Sequence, residues 1–323
     1  MTWYLLGLVA GFGLLVWSAG KFVEGAASTA KQLGVPMLLI GVLVVGFGTS
    51  APEMVVSAMA AMEGNPALAL GNALGSNIVN IALILGVTAV IAPIAVHSGI
   101  VKKELPLLLG ISLLSGVCVL DGRLSLGEGL VLLAGFFGLI GWSVVAALKG
   151  KNDTLETGVE AEIPAMSLGI SVAWLVVGLV LLVASSRLLV WSAVGIAEAF
   201  GVSDLIIGLT IVALGTSLPE LAASIVAIKK GEHDLAIGNV VGSNMFNILA
   251  VIGIATVIHP MENIAREVLT RDWVVMMGLT LALFAMAYGR KGRQGRINRV
   301  EGALLLGVYV GYNLVLGASI GAF

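Results

Sequence analysis

Two glutamates carry most of the chemistry available to this sequence. Of nineteen acidic residues, only Glu53 and Glu220 lie deep inside apolar stretches, and neither has a Lys or Arg within its own stretch. A charge at mid-membrane depth costs at least about 2.5 kcal/mol on insertion scales. Their surroundings are duplicated: Gly48-Thr49-Ser50 and Pro52 precede the first glutamate, and Gly215-Thr216-Ser217 and Pro219 precede the second. At helical spacing Thr49 and Ser50 share a face with Glu53, and Thr216 and Ser217 share one with Glu220. Each proline lacks an N–H, so it kinks the helix and frees a backbone carbonyl that needs a partner at membrane depth. Downstream, Asn72, Ser76 and Asn80 stand four apart on one helical face, and Asn239, Ser243 and Asn247 repeat them.

Carboxylate, amide, hydroxyl and carbonyl oxygens form an inventory for a hard cation. Two carboxylates held together in low dielectric repel, and one takes up a proton unless a cation lies between them. Ca²⁺ takes six to eight oxygens at about 2.3–2.6 Å, whereas transition metals draw imidazole or thiolate. The single cysteine, Cys118, lies in an apolar run, and His97, His233 and His259 fall near span ends without zinc spacing. Plainer readings exist: a capping box at Ser50-x-x-Glu53, and helix packing for Gly71, Gly75, Gly86 and their counterparts. Depth and duplication favour ion binding over capping alone. Ser76 and Ser243 read as ligands because each shares a face with asparagines. Asn72 and Asn239 stay open between ligand and cap of a broken helix.

The elements that must hold these residues are membrane helices. Of 323 residues, 59% are hydrophobic and 11% charged, against about 25% charged in soluble domains, and mean hydropathy is +1.07. The bilayer is therefore the solvent. A net charge of −2 offers nothing to nucleic acid. The apolar stretches predict an all-α polytopic protein of ten spans, near 3–22, 37–62, 67–92, 104–120, 127–148, 166–189, 205–228, 235–258, 273–289 and 301–320. The first stretch lacks a basic flank and a small-residue cleavage site, so it reads as a span rather than a signal. Thirteen basic residues gather near one set of loops, and four (Arg123, Arg187, Arg266, Arg271) near the other. That positive-inside bias puts both termini on the extracytoplasmic side of a cytoplasmic membrane.

An internal repeat sets the architecture. Gly41 pairs with Gly208, Gly71-Asn72 with Gly238-Asn239, Gly75-Ser76-Asn77 with Gly242-Ser243-Asn244, Asn80 with Asn247, Gly86 with Gly253 and Pro93 with Pro260, all offset by 167 residues without a gap. Five spans per copy is an odd number, so the second copy inserts inverted, the plan of many secondary transporters. The expected organisation is a first five-helix repeat at 1–148 (motif about 41–86), a cytoplasmic linker at 149–165, and a second, inverted repeat at 166–323 (motif about 208–253). Inversion should bring Glu53 and Glu220 face to face.

The segments Gly46-Phe-Gly-Thr-Ser-Ala-Pro-Glu53 and Ala213-Leu-Gly-Thr-Ser-Leu-Pro-Glu220, with their Gly-Asn-x-x-Gly-Ser-Asn partners, resemble the α-repeats of the calcium/cation antiporter superfamily. The chain is most similar to its prokaryotic sodium/calcium exchanger branch, including the bacterial inner-membrane type. The resemblance implies a secondary antiporter, not an enzyme, that exchanges Na⁺ for Ca²⁺ by alternating access. The first and sixth spans would slide across a rigid eight-helix core, with no cofactor and no obligate protein partner. It implies calcium at Glu53 and Glu220, helped by the carbonyls of Thr49 and Thr216. It implies sodium at Ser50 and Ser243 with the carbonyl of Gly46, and in mirror at Ser217 and Ser76 with the carbonyl of Ala213, the glutamates being shared. Asn80 and Asn247 would flank the middle. Asn247 stands where potassium-dependent members carry Asp, which argues against a potassium requirement. Proton/calcium exchange is the near alternative, but that branch has a Gly-Asn-Ala-x-Glu type motif. A cation channel would not need two inverted halves. An intramembrane enzyme could use paired acids, but no Ser–His pair accompanies them.

Overall fold

A computed structural model describes residues 2–34, 40–96, 100–149, 166–199, 213–288 and 295–320. The helices are α1 (Thr2–Leu33), α2 (Gly41–Thr49), α3 (Ala51–Met62), α4 (Pro66–Ile91), α5 (Leu105–Val119), α6 (Leu126–Lys149), α7 (Leu168–Ala199), α8 (Ala213–Thr216), α9 (Leu218–Lys229), α10 (His233–Ile258), α11 (Val268–Ala287) and α12 (Arg299–Ile320). Among the described residues seven helices are long and apolar enough to cross a membrane, or eight if α2 and α3 form one broken span. Helix α5, at 15 residues, occupies the fourth expected span. Helices α8 and α9 occupy the seventh, whose residues 205–212 lie outside the described residues, as do Gly208 and linker residues 150–165. The fold is thus the all-helical polytopic membrane protein that the sequence predicts.

Two span boundaries differ from expectation. The first helix runs to Leu33 rather than residue 22, and the sixth to Ala199 rather than 189, each 32 residues long. Charged residues at the expected ends do not terminate these helices, because charge alone does not end a helix. Lys21 Nζ lies 2.9 Å from Glu24, and Lys230 Nζ lies 2.8 Å from the same carboxylate, so the charges are compensated along α1. The helix ends where Gly34 takes φ +64°, the left-handed cap that glycine adopts at no steric cost. A short antiparallel pair, β1 (Ile94–Val96) with β2 (Gly295–Ile297), was not foreseen. Three residues per strand are too few to show an alternating pattern.

The chain forms two compact units, each drawing on both sequence halves. The first contains residues up to Pro52 together with Leu139–Gly242, and the second contains Glu53–Gly138 together with the chain from Ser243. In the first unit α1 lies against α7 through small residues. A Cβ added to Gly25 would sit 2.5 Å from Leu175 N, and one added to Gly178 would sit 2.7 Å from Phe22 N. Without a hydrophobic drive between helices in lipid, such close backbone approach is what packs them. In the second unit α4 crosses α12 at Gly86 and Gly302, where a Cβ on Gly302 would lie 2.8 Å from Gly86 O. Phe136 meets Phe246 edge-on at 5.7 Å. Helices α4 and α10 carry wide π-helical turns at Val79–Leu85 and Asn247–Ile252. These sit at matching repeat positions, directly after the Gly-Ser-Asn motifs, and such turns often mark functional sites.

Candidate cation site

The prolines place both glutamates in the same local geometry. Ser50 leaves the helical region at φ −83°, ψ 0°, and Ser217 does so at φ −90°, ψ 4°. A new helix follows each break, with Pro52 and Pro219 as its second residue. Proline is tolerated there because first-turn N–H groups lack intrahelical partners anyway. Glu53 and Glu220 fall in the first turn of α3 and α9, where the helix dipole favours a carboxylate. Each is 1% exposed.

In the first unit the residues around Glu220 form a defined cluster. Ser50 Oγ donates to Glu220 Oε1 at 3.3 Å. Thr49 Oγ1 lies 3.0 Å from Val45 O and 3.1 Å from Asn239 Oδ1. Asn239 Nδ2 donates to Glu220 O at 3.1 Å and to Ser224 Oγ at 2.9 Å. With both donor hydrogens and its oxygen engaged by protein, Asn239 is a bracket between α9 and α10 rather than an open ligand. Glu220 Oε2 and Ser217 Oγ are buried without a hydrogen-bond partner among the described residues. Ser217 occupies the N-cap position of α9 but makes no side-chain cap bond. Thr216 and Ala213 bound α8, and Gly46 is buried at the end of a π-helical turn.

The second unit holds the other half of the motif residues. Glu53 opens α3, and Asn72 Nδ2 donates to Ser57 Oγ at 3.0 Å, the repeat counterpart of Asn239 with Ser224. Ser76 and Ser243 are buried. Asn80 Nδ2 donates to Asn244 Oδ1 at 2.9 Å, and Asn247 Nδ2 donates to Asn77 Oδ1 at 3.1 Å. The Oδ1 atoms of Asn80 and Asn247 are buried without a partner among the described residues. The sequence marks Asn77 and Asn244 only as counterparts in the repeat. Their signal was present, since a polar residue duplicated in register inside two apolar spans is costly in both.

Among the described residues, the first unit leaves over a carboxylate oxygen and a hydroxyl of the motif, and the second unit leaves over two amide oxygens. An unsatisfied buried polar group costs about 1–3 kcal/mol, and a dehydrated cation is a partner that oxygen acceptors can take. Oxygens of these kinds suit a hard cation.

Comparison with known proteins finds relatives over nearly the whole chain. The sequence profile of the family described as sodium/calcium exchanger protein matches residues 3–145 and 170–317. A protein of Alkalimonas amylolytica named putative antiporter CaxA is 50% identical over 320 residues, 98% of each chain. The inner membrane protein YrbG of Escherichia coli is 38% identical over 309 residues, covering 94% of this chain and 93% of its own. A structure of the sodium-calcium exchanger NCX_Mj, soaked with zero Na⁺ and Ca²⁺, superposes with a TM-score of 0.84 at 31% identity, covering 98% of this chain and 99% of that one.

Proposed function

The chain belongs to the sodium/calcium exchanger protein family, a membrane cation antiporter rather than an enzyme, and from that premise we propose that it exchanges Na⁺ for Ca²⁺ by alternating access. The observation that carries the proposal is the mirrored helix break, which sets one buried glutamate at the start of α3 and another at the start of α9. Calcium is held by Glu53 and Glu220 with the carbonyls of Thr49 and Thr216. Sodium is held at Ser50 and Ser243 with the carbonyl of Gly46, and at Ser217 and Ser76 with the carbonyl of Ala213. The two carboxylates neutralise one Ca²⁺. Against three Na⁺ they leave one positive charge, so unequal exchange senses voltage at about 2.3 kcal/mol per charge per 100 mV. Asn80 and Asn247 flank the middle as neutral oxygens, which leaves no charge to balance an added K⁺. The close-packed pair α1 and α7 is the element that slides. The basic loops place the linker in the cytoplasm and both termini outside it, in a cytoplasmic membrane.

Glu53→Gln and Glu220→Gln test the shared site. Each leaves one carboxylate for a divalent ion, and ⁴⁵Ca²⁺ uptake should fall to the level of empty vesicles while the purified variants keep their thermal transition. Near-normal uptake by either variant would sink the shared-carboxylate assignment.

A further inference from the structure

Four asparagines in the second unit, two from each copy of the repeat, are cross-linked in one direction. The direction follows from a fixed point. A backbone carbonyl only accepts, and Asn77 Nδ2 donates to Asn244 O at 3.2 Å, with Met276 Sδ at 3.4 Å as a second contact. The nitrogen end of the Asn77 amide is thereby committed. Its Oδ1 is the atom that meets Asn247, and an oxygen there demands a donor, so Asn247 presents Nδ2 at 3.1 Å. The remaining atom, Asn247 Oδ1, is buried without a partner among the described residues. The mirror pair makes the same contact without the same anchor: Asn244 Oδ1 accepts from Asn80 Nδ2 at 2.9 Å and Asn80 Oδ1 is left over, while Asn244 Nδ2 is buried without a partner among the described residues.

We propose that Asn77 and Asn244 are positioning residues for cation binding: each takes the NH₂ end of its partner's amide, so that Asn247 and Asn80 turn carbonyl oxygens, and not NH₂ hydrogens, to the ion. The inference rests on the reading of Asn80 and Asn247 as flanking the cation path. An amide has one face that attracts a cation and one that repels it, and the two orientations differ by a half-turn of a soft terminal torsion. A carboxylate, with two equivalent oxygens, needs no such lock. A site that places neutral amides at both positions therefore needs partners that select the orientation. Asn77 and Asn244 supply it, from opposite copies of the repeat. The π-helical turns Val79–Leu85 and Asn247–Ile252 sit directly at this cross-link.

A double-mutant cycle reads the mechanism. ⁴⁵Ca²⁺ binding to the purified full-length protein, with and without competing Na⁺, is measured for Asn77→Ala, Asn247→Ala and the pair, alongside thermal transitions. The expected result is that Asn77→Ala weakens Ca²⁺ binding by about three- to tenfold, and that the pair binds no more weakly than Asn247→Ala alone, because Asn77 acts through Asn247. Losses that multiply, or an Asn77→Ala variant with unchanged binding, overturn the proposal. Should Asn247→Ala itself bind normally while Glu220→Gln does not, the role of Asn247 falls and this proposal with it, while the carboxylate site stands. If Asn77→Ala does not fold, the mirror cycle of Asn244→Ala with Asn80→Ala makes the same test. The Asn244 carbonyl that holds Asn77 survives that substitution.

Discussion

The pattern Ser-x-x-Glu occurs three times in this chain, and the structure distinguishes its uses. At Ser125 and Glu128 it is an exposed capping box: Ser125 N donates to the carboxylate at 2.7 Å, and Glu128 N donates to the Ser125 hydroxyl at 3.3 Å. At Ser217 and Glu220 both residues are buried, and the serine makes no cap bond. At Ser50 and Glu53 the serine hydroxyl reaches Glu220. The tetrad alone cannot separate these cases; the apolar flanks did, because only a buried carboxylate in a membrane span is expensive enough to need a function. What composition could not show is which asparagine is engaged by protein. The spacing of Asn72, Ser76 and Asn80 fixes a face, but not the fact that Asn239 spends every polar atom internally. Three substitutions separate the uses of serine. Ser125→Ala should cost about 1 kcal/mol of stability through the lost cap and leave exchange unchanged. Ser217→Ala and Ser76→Ala should leave stability nearly unchanged and weaken the competition of Na⁺ against ⁴⁵Ca²⁺ more than Ca²⁺ binding itself. Unaltered sodium competition in both variants would refute the sodium assignment.

At the scale of elements, hydropathy and punctuation placed the helices but misjudged where two of them stop. The expected end at residue 22 falls between Lys21 and Glu24, yet they are an ion pair on a continuing helix, and the true stop is the left-handed Gly34. The π-helical turns were not legible either, since they change the hydrogen-bond register without changing the polarity of the sequence. The glycines of α1 and α7 matter to packing in different degrees. A side chain at Gly178 meets the Phe22 backbone, which cannot yield, whereas one at Gly13 meets nothing within 4 Å. Gly178→Leu should therefore destabilise the protein by about 1–3 kcal/mol through overpacking and slow exchange, while Gly13→Leu should do neither. Thermal melting in detergent and vesicle uptake check both, and a Gly178→Leu variant with wild-type rate and stability would show that close contact of these helices is dispensable.

For the whole molecule, the repeat was readable because glycine, proline, asparagine and serine match in one register at an offset of 167. The spatial grouping was not. The compact units divide the chain at Pro52 and Gly242, inside the motifs themselves, and no compositional shift marks those points. Charge count is the whole-molecule property with the clearest consequence. On the proposed assignment, with neutral amides at Asn80 and Asn247, the two buried carboxylates set the charge that transported ions must balance, so exchange should need no K⁺ and should carry net charge. The central claim is sodium-driven calcium movement, and the direct measurement is ⁴⁵Ca²⁺ uptake into Na⁺-loaded proteoliposomes, in choline and in potassium media, with outward Na⁺ or H⁺ gradients compared. Uptake should follow the Na⁺ gradient, proceed at the same rate without K⁺, and accelerate when the vesicle interior is made positive, because three Na⁺ leaving for one Ca²⁺ entering removes one positive charge. Uptake driven equally by a proton gradient in the absence of Na⁺, or a strict requirement for K⁺, would contradict it.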